Sequence, residues 1–132
     1  MKVFLVDDEN EVRPRLARVL SEIPGMLVHS VAPRGGNVLR QLVRFQPDAA
    51  IVDMRLRGGG ALDLIRTIKA LPRPPVVVAL SSSHFPAYSS FCRKAGAELF
   101  FDKVHEQDRL LEALTQLQEE LRREGHDTVG EK

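Results

Sequence analysis

The sequence has a single cysteine, almost no net charge and no long apolar run. Cys92 has no second cysteine to pair with, so an internal disulfide is excluded and a reducing cytosol is the compatible environment. The 19 basic and 18 acidic residues leave a net charge of +1, which gives no electrostatic reason to expect nucleic-acid or membrane binding. The longest apolar runs have about five residues, far fewer than the ~20 that span a bilayer.

The N-terminus also lacks the features of a secretory signal, because acidic residues at 7–9 interrupt its apolar segment. A chain of 132 residues with 43% hydrophobic residues fits one domain with a buried core. We therefore expect a cytoplasmic domain over residues 1–123, followed by a short flexible C-terminal tail over 124–132.

Strand-like and helix-like segments alternate from one end of the chain to the other. Short apolar runs predict strands at 3–6, 26–31, 49–52, 76–80 and 99–101. The amphipathic segments between and after them predict helices near 11–22, 36–45, 62–68, 86–94 and 110–121. This alternation predicts an α/β fold with a five-stranded parallel sheet and helices on both faces.

In the second predicted helix, the residues expected to face inward are Val38, Leu39, Leu42 and Val43. In the fourth, the apolar side consists of Tyr88, Phe91 and Cys92.

Charged residues follow three of the predicted strands, at the point where each strand ends. Asp7 and Asp8 follow the first strand, Asp53 follows the third, and Lys103 lies just beyond the fifth. Because the C-terminal ends of parallel strands share one edge of a sheet, we expect these side chains to lie together. Clustered carboxylates repel one another unless a cation joins them, and their oxygens suit Mg²⁺ or Mn²⁺. The pattern indicates metal-assisted chemistry, with a lysine to hold an anion.

Each of these residues also has a less specific interpretation. The aspartates could be solvated acids near a helix start or in a turn, and the lysine could be ordinary surface charge. Ser81, at the end of the fourth strand, could be a turn serine. The functional interpretation is favoured because all of them fall at the same predicted edge.

Four segments resemble the receiver domains of two-component response regulators. They read VFLVDD at 3–8, AIVDMRL at 50–56, VALS at 78–81 and AGAELFFDK at 95–103. The resemblance extends over about residues 2–121 and implies a flavodoxin-like (βα)5 fold with strand order 2-1-3-4-5.

The resemblance also implies a role for individual residues. Asp53 matches the phosphoacceptor, and Lys103 matches the lysine that pairs with the phosphoryl group. Asp8 matches the main ligand of Mg²⁺ or Mn²⁺, Asp7 supports it through water or outer-shell contacts, and the backbone carbonyl of Arg55 completes the metal ligands. These residues share an oxygen-rich site of the kind that Mg²⁺ prefers.

Two further positions match the switch residues of the family. Ser81 matches the switch hydroxyl, and Phe100 matches the aromatic switch position. The chain departs from the family pattern at Val104, where proline usually follows the lysine. We expect a trans peptide between Lys103 and Val104, because a cis bond before a residue other than proline costs about 2.5–4 kcal/mol.

The function implied by the resemblance is that of a phosphoacceptor signalling module. Phosphate comes from a histidine kinase or a histidine phosphotransfer protein, and a conformational change passes the signal to a downstream protein through helix 4, strand 5 and helix 5. Such a module catalyses its own phosphorylation and dephosphorylation and is not a conventional turnover enzyme. No output domain follows the last helix, so we expect a stand-alone receiver, although one excised from a longer regulator would look the same.

Two other classes of protein remain as alternatives. An aspartate-nucleophile phosphohydrolase needs a D-x-D motif after the first strand, and residues 7–9 read DDE. A flavodoxin-like cofactor-binding protein needs a phosphate loop rich in serine and threonine at that place, where this chain has acids.

Overall fold

The protein alternates strands and helices along its whole described length. The computed structural model describes residues 1–7, 12–33, 37–56, 60–81 and 86–125. The ten elements, in chain order, are β1 (Lys2–Val6), α1 (Val12–Ser21), β2 (Leu27–Val31), α2 (Val38–Phe45), β3 (Ala49–Asp53), α3 (Ala61–Lys69), β4 (Val76–Ser81), α4 (Pro86–Ala95), β5 (Leu99–Asp102) and α5 (Gln107–Arg123).

The five strands form one parallel sheet in the order β2-β1-β3-β4-β5. This confirms the predicted fold class and strand order. The register pairs Asp53 with Leu80 and Ser81 with Asp102. The polar residues at the ends of β3, β4 and β5 are therefore drawn to the same edge of the sheet.

Alternation along the central strands divides the core into two layers. Phe4 and Val6 of β1 belong to a buried cluster that includes side chains of α2, α3 and α4. Val3 and Leu5 belong to a second cluster with side chains of α1 and α5. Successive residues of a strand point to opposite faces, so a sheet covered on both sides requires apolar residues at every position. In β1, β3, β4 and β5 the polar residues lie only at the strand ends, whereas the edge strand β2 has His29 and Ser30 within it.

The faces of two helices differ from the sequence-based expectation. Val43 of α2 was expected to face inward but is 51% exposed, and Tyr88 and Phe91 of α4 are 40% and 49% exposed. All three expectations were wrong. For Val43 and Phe91 the reason is that each residue in a helix is rotated by about 100° from the one before it. Leu42 and Cys92 occupy the buried directions, so their neighbours Val43 and Phe91 turn toward solvent.

Most element boundaries differ from the prediction by one or two residues, which is ordinary scatter, and α5 begins three residues earlier than predicted, at Gln107. The strands β4 and β5 each continue one residue further than expected, to Ser81 and Asp102. No cis peptide bond occurs in the described ranges, so the peptide between Lys103 and Val104 is trans, as predicted. No helix in the described part of the chain is long and apolar enough to cross a membrane.

Candidate functional site

The candidate site lies where four parallel strands end. Asp7 directly follows β1, Asp53 is the last residue of β3, and Ser81 is the last residue of β4. Lys103 directly follows β5, and its backbone N–H donates a 2.8 Å hydrogen bond to the Ser81 carbonyl. The ladder of strand hydrogen bonds is thereby continued one step beyond the sheet. As predicted, residues far apart in the sequence meet at one edge.

Lys103 joins the two acids at this edge. Its Nζ lies 2.5 Å from Oδ2 of Asp53 and 3.5 Å from Oδ2 of Asp7. The lysine side chain is 5% exposed, and both aspartate side chains are fully buried. Buried charges are retained only where they are paired and hydrogen-bonded, because removing an ion from water costs several kcal/mol. The ammonium therefore stabilises a carboxylate pair that would otherwise repel itself.

The second carboxylate oxygen of Asp53 is held by the backbone. Oδ1 accepts a 3.0 Å hydrogen bond from the N–H of Arg55, in the turn that follows β3. The N–H of Met54, between them, donates to the Leu80 carbonyl at 2.8 Å and ties this turn to β4. Both oxygens of Asp53 thus have defined directions, one toward Lys103 and one toward the turn. The Arg55 side chain itself is exposed.

The donor set suits a hard divalent cation. Among the residues that the structure describes, Asp7 and Asp53 provide two buried carboxylates that both lie close to the Lys103 ammonium. Mg²⁺ prefers carboxylate and carbonyl oxygens, usually with several waters. Asp8, the predicted main metal ligand, lies outside the described residues. Within the described residues, no group of three or more histidine, cysteine, aspartate or glutamate side chains is arranged to hold a metal.

Comparisons with known proteins are decisive for the family. The family model described as the response regulator receiver domain matches residues 3–115. The chain belongs to the response regulator receiver family. This confirms the resemblance found in the sequence, and the chain is a receiver domain of a two-component response regulator. No comparison favours a phosphohydrolase or a flavin-binding protein.

The curated relatives of this receiver domain include response regulators of Pseudomonas species and protein-glutamate methylesterase/glutaminase enzymes. The response regulator GacA of Pseudomonas aeruginosa is 28% identical over 118 residues, which are 89% of this chain and 55% of that protein. A protein-glutamate methylesterase/protein-glutamine glutaminase of Syntrophus aciditrophicus is 32% identical over 80 residues, 60% of this chain and 23% of that enzyme. The chain spans about half the length, or less, of the curated relatives it matches.

Solved structures support the same fold. The signal receiver domain of a DNA-binding response regulator from Colwellia psychrerythraea superposes with a TM-score of 0.81 at 20% identity, covering 90% of this chain and 98% of that one. The beryllofluoride-activated receiver domain of RstA from Klebsiella pneumoniae gives a TM-score of 0.78 at 25% identity, covering 88% and 97%.

The predicted switch residues occupy different depths of the receiver domain. Ser81 is 1% exposed at the site edge of β4. Phe100 lies opposite Ala79 in the β4–β5 ladder and packs, partly buried, against the cluster beneath α4. Ser81 thus adjoins the acidic site, whereas Phe100 connects the sheet to a surface helix.

One buried acid of this edge, Asp102, was not predicted from the sequence as a site residue. It lies directly before Lys103, and its Oδ1 accepts hydrogen bonds from the N–H groups of Val104 and His105 at 2.8 and 2.7 Å. The available signal was an aspartate next to the site lysine, followed by a residue that, unlike proline, has an N–H to donate. An aspartate near the end of a strand is so common in turns that the sequence alone did not single it out.

Proposed function

We propose that Asp53 is the phosphoacceptor of this receiver domain and that the reaction depends on Mg²⁺ or Mn²⁺. The observation that carries the proposal is the contact between Lys103 Nζ and Asp53 Oδ2 at 2.5 Å in a buried site. An ammonium fixed at an acceptor carboxylate is also close to any phosphoryl group attached there. Lysine binds phosphate as a point charge.

The chemistry follows from the carboxylate. An oxygen of Asp53 attacks the phosphorus of a phosphohistidine, the P–N bond breaks, and the imidazole leaves with its electron pair and takes up a proton. The product is an acyl phosphate, which water later hydrolyses to the carboxylate and inorganic phosphate. In phosphoryl transfer, positioning and electrostatic stabilisation provide most of the catalysis. The protein therefore catalyses its own phosphorylation and dephosphorylation.

Each residue of the edge has a part in this scheme. Lys103 shifts its hydrogen bond from Asp53 to a phosphoryl oxygen, and Ser81 donates its hydroxyl to another. Asp7, Asp8, the Asp53 carboxylate and the Arg55 carbonyl would hold the metal. When bound, the dication offsets the negative charge that accumulates between carboxylate and phosphoryl group.

The proposed partners follow from this role. The phosphodonor is a histidine kinase or a histidine phosphotransfer protein. The downstream protein binds the face formed by α4, β5 and α5. Two observations support this choice of face: Tyr88 and Phe91 are aromatic yet exposed on α4, and α5 has an exposed surface of mixed charge. That surface consists of Glu112, Glu119, Glu120, Arg122 and Arg123.

Labelling with a small phosphodonor tests the acceptor. Acetyl phosphate should label the wild-type protein only when Mg²⁺ or Mn²⁺ is present, and intact-protein mass spectrometry reads the label. Asp53→Ala should abolish the label, and Asp8→Ala should block it through loss of the metal. Asp63→Ala is the matched control, because Asp63 is a solvent-exposed aspartate on α3. Undiminished labelling of the Asp53→Ala protein would overturn the assignment.

A further inference from the structure

In the segment that joins β5 to α5, the side chain of Asp102 accepts hydrogen bonds from the backbone of the residues that follow it. One oxygen of this aspartate, Oδ1, accepts the N–H of Val104 at 2.8 Å and the N–H of His105 at 2.7 Å. The ring Nδ1 of His105 lies 3.2 Å from the same oxygen. The Asp102 side chain is 11% exposed. A nearly buried carboxylate thus binds the backbone N–H groups of the two residues that follow Lys103.

The backbone of Asp102 is held from the other side by Glu106. The N–H of Asp102 donates to Oε1 of Glu106 at 2.8 Å, and the N–H of Glu106 donates to the Asp102 carbonyl at 3.1 Å. The N–H of Lys103 is bound by the Ser81 carbonyl. Lys103 is therefore the central residue of a hydrogen-bonded turn that is anchored to β4 on one side and to the start of α5 on the other.

This turn is important because the ammonium of Lys103, at the far end of its side chain, contacts the acidic site. Its ammonium must reach Asp53 and Asp7 within the buried site, yet the side chain has four rotatable bonds and gains accuracy only from a fixed Cα. A displacement of about 1 Å in a positioning contact can cost around 100-fold in rate. Val104 stands where the family usually has proline, so its N–H is available to a carboxylate that a proline could not satisfy.

We propose that Asp102 is a positioning residue for Lys103: through Val104 and His105 it fixes the turn that aims the ammonium at the acceptor carboxylate. This inference rests on the proposed function of Asp53 and Lys103 and deepens it. Asp102 does not touch the phosphoryl group, and its effect on the reaction is transmitted entirely by the lysine.

Two variants of Asp102 distinguish the effect of its hydrogen-bond-accepting oxygen from the effect of its negative charge. Asp102→Ala removes the acceptor of both N–H groups and should slow labelling by acetyl phosphate about tenfold or more. Asp102→Asn keeps an oxygen in place and should restore the rate to within about threefold of wild type. The Mg²⁺ affinity, measured by calorimetry, should change by less than about twofold in both, because neither variant removes a proposed metal ligand.

A double-mutant cycle tests whether Asp102 acts through the lysine. In a Lys103→Ala background, adding Asp102→Ala should slow labelling by less than about twofold, because the residue that it positions is gone. Equal slowing in both backgrounds would mean that Asp102 acts by general destabilisation and would overturn the inference. A wild-type rate in the Asp102→Ala protein would overturn it as well.

Two further measurements keep the inference testable if Asp102→Ala does not fold or if Asp53 is not the acceptor. Glu106→Ala opens the same turn from its more exposed side, and should slow labelling while Glu106→Gln, which keeps Oε1, does not. The ¹H–¹⁵N signal of the Lys103 ammonium in unphosphorylated protein should be protected from exchange in wild type and lost in Glu106→Ala and Asp102→Ala. A protected signal in these variants refutes the positioning role, whatever labelling shows about Asp53.

Discussion

The ammonium of Lys103 donates a 2.5 Å hydrogen bond to Oδ2 of Asp53, a residue 50 positions earlier in the chain. The same ammonium lies 3.5 Å from Oδ2 of Asp7, so one positive charge is shared by two fully buried carboxylates. In low dielectric the repulsion between such carboxylates is strong. The charge balance between these two carboxylates therefore depends on this lysine.

Replacing Lys103 by methionine should make stability depend on the metal. Lys103→Met removes the ammonium that the two buried carboxylates share, so we expect a loss of about 3 kcal/mol in the free energy of unfolding without metal. Millimolar Mg²⁺ should restore more stability to this variant than to wild type, because the dication replaces the lost charge. Urea unfolding with and without Mg²⁺ measures both effects.

Lys69→Met is the control for that experiment. Lys69 forms a 2.6 Å ion pair with Glu98, away from the acidic edge, and its side chain is 20% exposed. Its loss should cost about 1 kcal/mol or less and should not alter the response to Mg²⁺. If Lys103→Met is as stable as wild type in metal-free buffer, the proposed charge balance is wrong.

The lifetime of the phosphorylated form should depend on Arg55. This residue lies two positions after the acceptor, its N–H binds Asp53 Oδ1, and its side chain is exposed beside the site. A guanidinium there can shield the phosphoryl group from water, so Arg55→Ala should speed autodephosphorylation more than about twofold, or ~0.4 kcal/mol in barrier. Release of phosphate after removal of the donor gives the rate.

The matched control is Arg66→Ala, an exposed arginine on α3. A smaller change than twofold in Arg55→Ala, or an equal change in the control, would show that the Arg55 side chain does not control this lifetime. Ser83, which we also expect to influence this lifetime, lies outside the described residues.

Activation should spread from Ser81 to Phe100. Ser81 is buried at the acceptor edge of β4. Phe100 of β5 pairs with Ala79, which lies two residues before Ser81 on β4. A phosphoryl group can shift the conformational balance only through contacts that differ between the two states. Beryllofluoride with Mg²⁺ should therefore shift backbone amide NMR signals at Phe100, α4 and α5 in wild type.

In Ser81→Ala those distant shifts should shrink while shifts around Asp53 remain, because the hydroxyl that would contact the phosphoryl mimic is absent. Ser21→Ala, whose hydroxyl binds only within α1 at the Ala17 carbonyl, is the control. Changes confined to the acidic edge in wild type would mean that the face of α4, β5 and α5 does not carry the signal.

The thiol of Cys92 should be almost unreactive in the native protein. Cys92 is fully buried against the sheet, and burial raises the pKa of its thiol. Reaction with a disulfide reagent at neutral pH should be about 100-fold slower than in denaturant, matching an opening free energy of ~2.8 kcal/mol. Because the native state holds the proton more tightly, stability should fall as the pH rises from the ordinary thiol pKa through the raised pKa of Cys92. Rapid native labelling would contradict this packing.

Much of the fold was predictable because its signals are local. The apolar strands alternate with amphipathic segments, and a parallel sheet covered on both faces is the simplest arrangement that buries them all. The strand order came from the family resemblance, because alternation alone allows several orders. The inward faces of α2 and α4 were only partly predictable: Val43 and Phe91 are apolar but point to solvent. Hydrophobicity does not report how a helix is rotated against its sheet.

The sequence by itself determined that Asp7, Asp53, Ser81 and Lys103 would meet, because each lies at the end of a strand or directly after it and parallel strands end at a common edge. Only the tertiary structure decided how they meet, with one ammonium between two buried carboxylates. Only the tertiary structure revealed the role of Asp102. Its carboxylate accepts the N–H groups of Val104 and His105 at distances within a few tenths of an ångström of the ideal hydrogen-bond length. Strand ends follow from sequence periodicity, whereas hydrogen-bond partners depend on distances that exist only after the chain has folded.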